Sequence, residues 1–324
     1  MAYFCKKSNQ LFLREKDSLV SSFERINIHK VDGIEVPIFS KQKTGANEFS
    51  IATAAELHKN AMNWLHQTHG TTDKTFRETL ISSIPLDEQS RHKKIILVTG
   101  CGEGKDLPYL FERYPDATFF VQDIALEMLS TAIETYSALI NAENISFWLG
   151  DACDLPFKDN FFDLVYHFGG INLFSSPKKG VEEMHRVAKI GGAILFGDEG
   201  IAPFLYNSEI AKVLIKNNPL YNCSVPINYI PSYATDFKLQ YLFNNCFYLV
   251  TYKKTDSHNI NLDVKHLGRR GGSLRSRYYG ELEGIDPLLK RSLYELAEKL
   301  GLSRVELLER LLSQGIKDNQ HEQL

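Results

Sequence analysis

The chain lacks long hydrophobic runs. No apolar stretch approaches the ~20 residues a membrane-spanning helix needs. The start, Met1 to Asp17, mixes Lys, Glu and Arg into its apolar residues rather than building a signal-peptide core. Cysteine is sparse: Cys5, Cys101, Cys153, Cys223 and Cys246 are scattered, and no two stand at a C-x-x-C spacing. A zinc knuckle or iron–sulfur site is therefore not indicated, and no metal is expected. An odd count without a framework points to a reducing compartment, so a cytoplasmic protein with no membrane partner is expected. Charge of one sign is lacking too, with a formal net charge of -3, which argues against a whole-molecule polyanion binder. What remains is an ordinary globular balance, 43% hydrophobic and 24% charged over 324 residues, enough for one α/β domain plus extra segments.

No internal repeat or low-complexity stretch is present. Residues 1–50 read as a β-leaning, polar extension with a turn at Val31-Asp32-Gly33. Two helical patterns follow, one placing Leu57, Ala61, Trp64 and Leu65 on a face, the other Phe76, Leu80 and Ile84 before Pro85. From Lys94 the rhythm becomes strand, helix, strand. Apolar strands are expected at residues 95–98, 117–121, 145–149, 162–167 and 193–196, with helices between most of them. Two more strands, Phe237 to Phe243 and Cys246 to Lys253, are joined by Asn244-Asn245, which implies an antiparallel hairpin. The expected fold is α/β, Rossmann-like and doubly wound: a mostly parallel seven-stranded sheet ending in that hairpin. The expected domains are the extension 1–50, a cofactor-binding domain 51–254 with an insertion at 201–236, and a basic linker with a helical hairpin at 255–324.

The first βα turn reads Val98-Thr99-Gly100-Cys101-Gly102-Glu103-Gly104-Lys105. Glycines let backbone N–H groups approach a ligand closely, and the following helix presents its positive end. The spacing is G-x-G-x-G, with Lys105 where a dinucleotide loop needs its third glycine. A purely structural tight turn is the alternative. Asp123 ends the next strand, where a carboxylate can accept from both ribose hydroxyls of a nucleoside or cap the following helix, with Ile124 against the base. Gly150-Asp151-Ala152 follows the third strand, then Asp154-Leu155-Pro156-Phe157, Phe161-Phe162-Asp163-Leu164-Val165 and Glu183-Met184-His185-Arg186-Val187-Ala188-Lys189-Ile190-Gly191-Gly192.

In order and spacing, residues 90–254 resemble the class I S-adenosylmethionine-dependent methyltransferases, and within them the quinone-methylase-like, type 11 branch. The resemblance implies S-adenosyl-L-methionine as cofactor, held by Gly100, Cys101, Gly102, Gly104, Asp123, Ile124, Asp151, Ala152, His167 and Gly169. Asp151 would accept from the adenine amino group, and the next N–H would reach a ring nitrogen. Two departures stand out. Ile190 replaces a proline, and Val98 occupies the position where the family carries an acid that helps orient the methionine end. The ammonium group is then left to backbone carbonyls near Gly100 and Gly169, or to another side chain.

Methyl transfer from a sulfonium is an in-line displacement, achieved mainly by positioning and exclusion of water. The fourth strand runs into Tyr166-His167-Phe168-Gly169-Gly170-Ile171-Asn172, and its carboxyl end lies at the ligand edge of a parallel sheet. His167, which titrates near neutrality, is a candidate base or a hydrogen-bonded wall residue. Asp198, beside Glu199 at the end of the fifth strand, is a candidate acceptor contact or base, or a helix cap. The 201–236 insertion carries Tyr206, Tyr221, Tyr229 and Tyr233, which suit a quinol-like or aromatic small-molecule acceptor or simply a core. The reading is enzymatic methyl transfer; the alternative is non-catalytic or regulatory cofactor binding.

At the end of the chain, Lys265, Arg269, Arg270, Arg275 and Arg277 flank Gly271-Gly272. Asp286-Pro287 opens one helix with Leu289, Leu293, Leu296 and Leu300 on its face before Gly301, and Ser303-Arg304-Val305-Glu306 opens a second with Val305, Leu308, Leu311 and Leu312 inward. The pair resembles the helical half of ribbon-helix-helix DNA-binding dimers. That implies a DNA-binding or homodimerising module, the arginine segment taking the place of the DNA-reading strand; docking on the enzyme domain is the alternative.

Overall fold

A computed structural model of the chain describes residues 2–39, 54–85, 93–140, 143–257, 260–267, 272–279 and 285–321. Arg269, Arg270, Gly271 and the side chain of Leu57 lie outside the described set. The chain divides into two compact units, Met1–Asp256 and Ser257–Leu324.

The first unit opens with β1 (Phe4–Cys5) paired to β2 (Gln10–Leu11), then an antiparallel meander of β3 (Leu13–Glu15), β4 (Ser18–Val20), β5 (Arg25–Val31) and β6 (Ile34–Pro37). Asp32 and Gly33, both left-handed at φ 47° and 79°, make the two-residue β5–β6 turn that an Asp-Gly pair favours. Helices α1 (Ala54–Thr68) and α2 (Asp73–Ser82) follow. The α/β segment then runs β7 (Ile95–Thr99), α3 (Leu107–Arg113), β8 (Thr118–Asp123), α4 (Leu126–Thr135), β9 (Ile145–Leu149), β10 (Phe162–Phe168), α5 (Pro177–Val187), β11 (Ala188–Glu199), α6 (Glu209–Asn217), β12 (Ala234–Leu242) and β13 (Phe247–Lys254).

Seven strands form one sheet in the order β12-β13-β11-β10-β7-β8-β9, parallel except where β13 runs against its neighbours. Chain order reverses between β7 and β10, the switch point at which such sheets open a crevice for ligands. Side chains alternate between two buried faces. Ile96, Val98, Phe119, Val121, Leu164, Tyr166 and Leu195 enter one core cluster, and Leu97, Phe120, Trp148, Phe162, Val165, Ile194 and Phe196 enter the other. Burial on both faces explains why these strands read as continuous apolar runs. The extension contributes to the second face: Tyr3, Phe12 and Phe39 pack among Trp148, Phe120 and Phe157, and the Phe39 N–H donates to Leu149 O (2.8 Å).

Several elements differ from the sequence reading. The strand expected at 193–196 extends over Ala188–Glu199, with a register shift at its start that takes in Gly191 at φ 79°. In α1 the buried side chains are Leu65 and His66 rather than Trp64, which is 56% exposed, because the helix turns a partly polar stripe inward. The β12–β13 turn holds Phe243, Asn244 and Asn245 in the left-handed region. Asn tolerates it; for Phe243 it is strained, and stacking on Phe76 at 4.1 Å helps hold it there.

The Glu183-x-x-Arg186 pair is a staple. Arg186 donates to both Glu183 oxygens (2.7 and 2.8 Å), to Asp159 (2.8 Å) and to the carbonyls of Leu155 and Phe157. Glu183 also accepts from Lys6 and from the Leu155 N–H. Thus α5, the Asp154–Phe157 loop and the N-terminal extension are joined through one partly buried ion cluster.

The second unit contains α7 (Leu274–Tyr279), α8 (Pro287–Leu300) and α9 (Arg304–His321). Asp286 caps α8 by accepting from the Leu288 and Leu289 N–H groups, Gly301 ends it in the left-handed region, and Ser303 and Glu306 exchange the reciprocal bonds of a capping box. Two expectations are corrected. Residues 274–279 are helical rather than the strand implied by the ribbon-helix-helix resemblance, with Ser273 accepting from the Ser276 N–H at the helix start. In α9 the buried side chain is Leu307, while Leu311 and Leu312 are exposed, since α9 buries only a narrow stripe.

Burial alone would raise the Glu183 carboxyl, but its bonds from Arg186 and Lys6 hold it below the ordinary range. A carboxylate depressed in the folded state stabilises above its unfolded pKa, and that stability is lost as pH falls through the folded value. Arg186→Met should therefore cost about 2–4 kcal/mol at neutral pH, and less at acid pH below the ordinary carboxylate range, where Glu183 protonates. Thermal unfolding at both pH values checks this.

Candidate functional site

The glycine loop between β7 and α3 places three left-handed glycines, Gly100, Gly102 and Gly104, at φ 58°, 55° and 76°. They have different work. A Cβ on Gly104 would lie 2.9 Å from Ala132 Cβ, so that glycine lets the loop pack on α4. A Cβ on Gly100 would lie 2.9 Å from His167 Cε1, so that glycine admits the histidine ring. At Gly102 a Cβ would meet only Met128, at 3.6 Å, so the positive φ rather than lack of space calls for glycine there.

The loop is clasped by the end of β8. Gly102 N–H donates to Asp123 Oδ2 (2.8 Å), and Asp123 Oδ1 accepts from the Ala125 N–H (2.9 Å). Cys101 N–H donates to the Gln122 carbonyl (2.9 Å). The Gln122 side chain accepts from the Gly100 N–H (3.1 Å) and donates to the Gly150 carbonyl, so one buried amide ties the turns after β7 and β9. Asp123 thus carries the capping role; a carboxylate offers about four acceptor sites, so ribose recognition is compatible with it. Ile124 is 45% exposed beside it.

After β9, Asp151 Oδ1 accepts from the Cys153 N–H (2.8 Å), and Ala152 is buried. Asp151 borders an open cleft of about 500 Å³ lined also by Cys153, Asp154, Ser175 and Lys179.

At the switch point His167 pairs in register with Thr99. Its ring is fully buried, with Nδ1 2.9 Å from the Thr99 carbonyl, and burial lowers its pKa. Beyond Phe168, Gly169 and Gly170 turn at φ 77° and 105°. Asp198 holds that turn: Oδ2 accepts from the Gly170 and Asn172 N–H groups (3.0 and 2.8 Å) and Oδ1 from the Glu199 N–H. Its side chain is engaged by three backbone donors, the capping arrangement rather than one open to an acceptor. Glu199 is the titratable neighbour, its carboxyl raised by burial and by Asp198. Of the four insertion tyrosines only Tyr221 is buried, bonded to His69 Nε2 (3.0 Å), whereas Tyr206, Tyr229 and Tyr233 are exposed.

Sequence reasoning, which placed the Asp198-Glu199 pair at the ligand edge, passed over two groups. Gln122 is one; its signal is a polar residue directly after the apolar Phe119-Phe120-Val121 run. The other is the network under the loop, in which buried Arg77 of α2 donates to Asp106 (3.0 Å) and Asp73 (3.4 Å), and the Tyr166 hydroxyl donates to Asp106 (2.9 Å). That network fixes the start of α3 against β10.

The adenosylmethionine loop fits these residues by one geometric criterion. Asp123, ending β8, accepts directly from the Gly102 N–H, and the turn that carries Asp151 after β9 is tied to the loop through Gln122. Residues 97–196 match the family model described as a methyltransferase domain.

This segment is a methyltransferase domain of the S-adenosylmethionine-dependent class. The chain is 30% identical over 131 residues to a malonyl-[acyl-carrier protein] O-methyltransferase of Marinomonas sp., covering 40% of this chain and 46% of the relative. It is 25% identical over 198 residues to the ubiquinone/menaquinone biosynthesis C-methyltransferase UbiE of Geotalea daltonii, covering 59% and 83%. It is 32% identical over 128 residues to a demethylmenaquinone methyltransferase of Chlorobaculum parvum, covering 39% and 48%. The chain thus spans about half the length of the first and third of these relatives. In fold the chain is similar to the phosphoethanolamine N-methyltransferase 2 of Haemonchus contortus, at a TM-score of 0.50 and 13% identity, covering 77% of this chain and 72% of that one.

Proposed function

We propose that the chain transfers a methyl group from S-adenosyl-L-methionine to a small-molecule acceptor, ring-bearing or otherwise apolar, by in-line displacement. The observation that carries the reading is the glycine loop clasped by Asp123 and Gln122 at the switch point of the sheet. When bound, the cofactor supplies an electrophilic methyl group. Asp123 accepts from the ribose hydroxyls, Ile124 packs on the base, and Asp151 with the Ala152 N–H reads the adenine edge. The Gly169–Gly170 turn, held by Asp198 and Asn172, orients the reacting end and limits water. Asp198 is therefore a positioning residue in this reading. Glu199 and the aromatic residues of 201–236 face the acceptor. The named relatives methylate oxygen and carbon, and the exposed Phe204 and Tyr206 favour an apolar or aromatic acceptor over a highly charged one.

Isothermal titration of the full chain should give micromolar binding of S-adenosylhomocysteine and none of NAD. Asp123→Ala should weaken the first about tenfold or more. Tight NAD binding, or an unchanged affinity in Asp123→Ala, would contradict the assignment.

A second reading concerns the C-terminal unit. We propose self-association rather than DNA binding. Leu289, Leu300, Leu312 and Ile316 are each at least 48% exposed, more apolar side chain than a monomeric helical hairpin commonly presents. Arg275 is meanwhile paired with Asp263 at 2.7 Å. Sedimentation of the full chain should show a dimer that Leu289→Glu/Leu312→Glu converts to monomer. A wild-type monomer at the highest soluble concentration would overturn it.

A further inference from the structure

The carboxyl ends of β10 and β11 meet where the proposed function places the acceptor, and the hydrogen bonds there share one direction. Asp198 accepts from the Gly170, Asn172 and Glu199 N–H groups. Burial and that neighbouring carboxylate raise the Glu199 carboxyl, so it keeps its proton and donates it to Asp198. Asn172 spends its two amide protons on the carbonyls of Glu199 (2.8 Å) and Leu220 (3.5 Å), and its Oδ1 accepts from the Tyr248 hydroxyl (3.2 Å). His69, kept neutral by burial, is bonded to the Phe243 carbonyl, which can only accept; its Nε2 therefore takes the Tyr221 hydroxyl proton at 3.0 Å. The backbone N–H groups of Gly169, Gly200 and Ile201 donate to the carbonyls of Gly197, Cys246 and Tyr221.

Each of these donors is turned inward, onto a protein acceptor. Glu199, partly exposed, keeps unshared lone pairs for a ligand. The Cys223 thiol, raised by burial and by both carboxyls, stays protonated and is only a weak donor. Among the described residues no lysine or arginine pairs with either carboxyl. A Cβ on Gly197 would lie 2.8 Å from Phe168 Cε2, so that glycine lets the half-buried Phe168 ring lie across β11, on the strand face that carries Glu199. Phe247 stands opposite Glu199 in the sheet, its ring 6.5 Å from that of Phe168. Aromatic faces attract cations. A corner made of lone pairs, ring faces and a carboxyl pair without its own cation recognises a group that is rich in donors and positive, and it repels a carboxylate or phosphate.

We propose that the methyl acceptor is a ring-bearing amine whose nitrogen is held by Glu199. This rests on the methyl-transfer reading above and names its acceptor class. An ammonium arriving from solution displaces the Glu199 proton to solvent. Within the resulting ion pair the ammonium hands one proton back to Glu199. The freed nitrogen lone pair then forms the N–C bond as the C–S bond to the cofactor's methyl breaks, sulfur leaving as a thioether.

The test is isothermal titration of the full chain saturated with S-adenosylhomocysteine, using probes that share a ring and linker: phenethylamine, phenethyl alcohol and hydrocinnamate. The amine should bind about tenfold or more tighter than the alcohol, and the carboxylate weakest. Amine binding should release a proton, read from the change of heat between buffers of different ionisation enthalpy, and should weaken as pH falls. Glu199→Gln keeps the shape but offers amide donors. It should abolish both the amine preference and the proton release while still binding S-adenosylhomocysteine. Equal affinity for amine and alcohol, tighter binding of the carboxylate, binding of none of the three, or a preference that survives in Glu199→Gln would overturn the proposal. Proton release is measured on wild-type protein, so its absence overturns the proposal whether or not the variant folds. Wild-type protein that does not bind S-adenosylhomocysteine would instead remove the proposed function, and this inference with it.

Discussion

The clasp between the glycine loop and the last two residues of β8 is the constraint on which the ligand edge depends. Three successive loop N–H groups, from Gly100, Cys101 and Gly102, are bound by the Gln122 side chain, the Gln122 carbonyl and the Asp123 carboxylate. Left-handed glycines make that orientation accessible, and the buried amide of Gln122 carries it on to the turn after β9. With the first three turns tied together, the crevice between β7 and β10 has fixed walls. A buried side-chain amide bonded through both its oxygen and its nitrogen is a rigid connector, because breaking either bond would strand a polar group away from water.

Residues that belong together as motifs divide by physical role. Glu183 and Arg186 stand far along the chain from the loop and act as a staple that fastens the extension and the Asp154–Phe157 loop to α5. Asp198 fixes a turn through three backbone donors. The Arg77–Asp106–Tyr166 network sets the start of α3. The proposed function leaves the ligand-facing work to a shorter set, the acids Asp123 and Asp151 at the ends of the clasped turns.

The parallel sheet was legible because both-face burial writes itself as apolar runs, and the loop because its glycines occur where left-handed backbone is needed. The hairpin turn and the α8 and α9 caps were legible for the same local reason. What local pattern does not carry is the partner of a polar side chain. Asp198 meets Gly170 and Asn172 across 26 to 28 residues, and Arg77 meets Asp106 across 29. Neither spacing leaves a periodic trace. Helix faces failed where a stripe is partly polar: α1 turns His66 inward and leaves Trp64 out, and α9 buries Leu307 instead of Leu311 and Leu312. The strand reading of the arginine segment failed because a resemblance in the two helices says nothing about the residues preceding them, where Ser273 starts a helix.

The central claim is that the clasped turns after β7, β8 and β9 form one nucleoside cradle. Hydrogen exchange of backbone amides, with and without S-adenosylhomocysteine, addresses it directly. The account predicts slowed exchange together at residues 100–104, 123–125 and 150–153, with residues 2–37 and 286–321 unchanged. Protection confined to one turn, or arising chiefly outside these three, would contradict it.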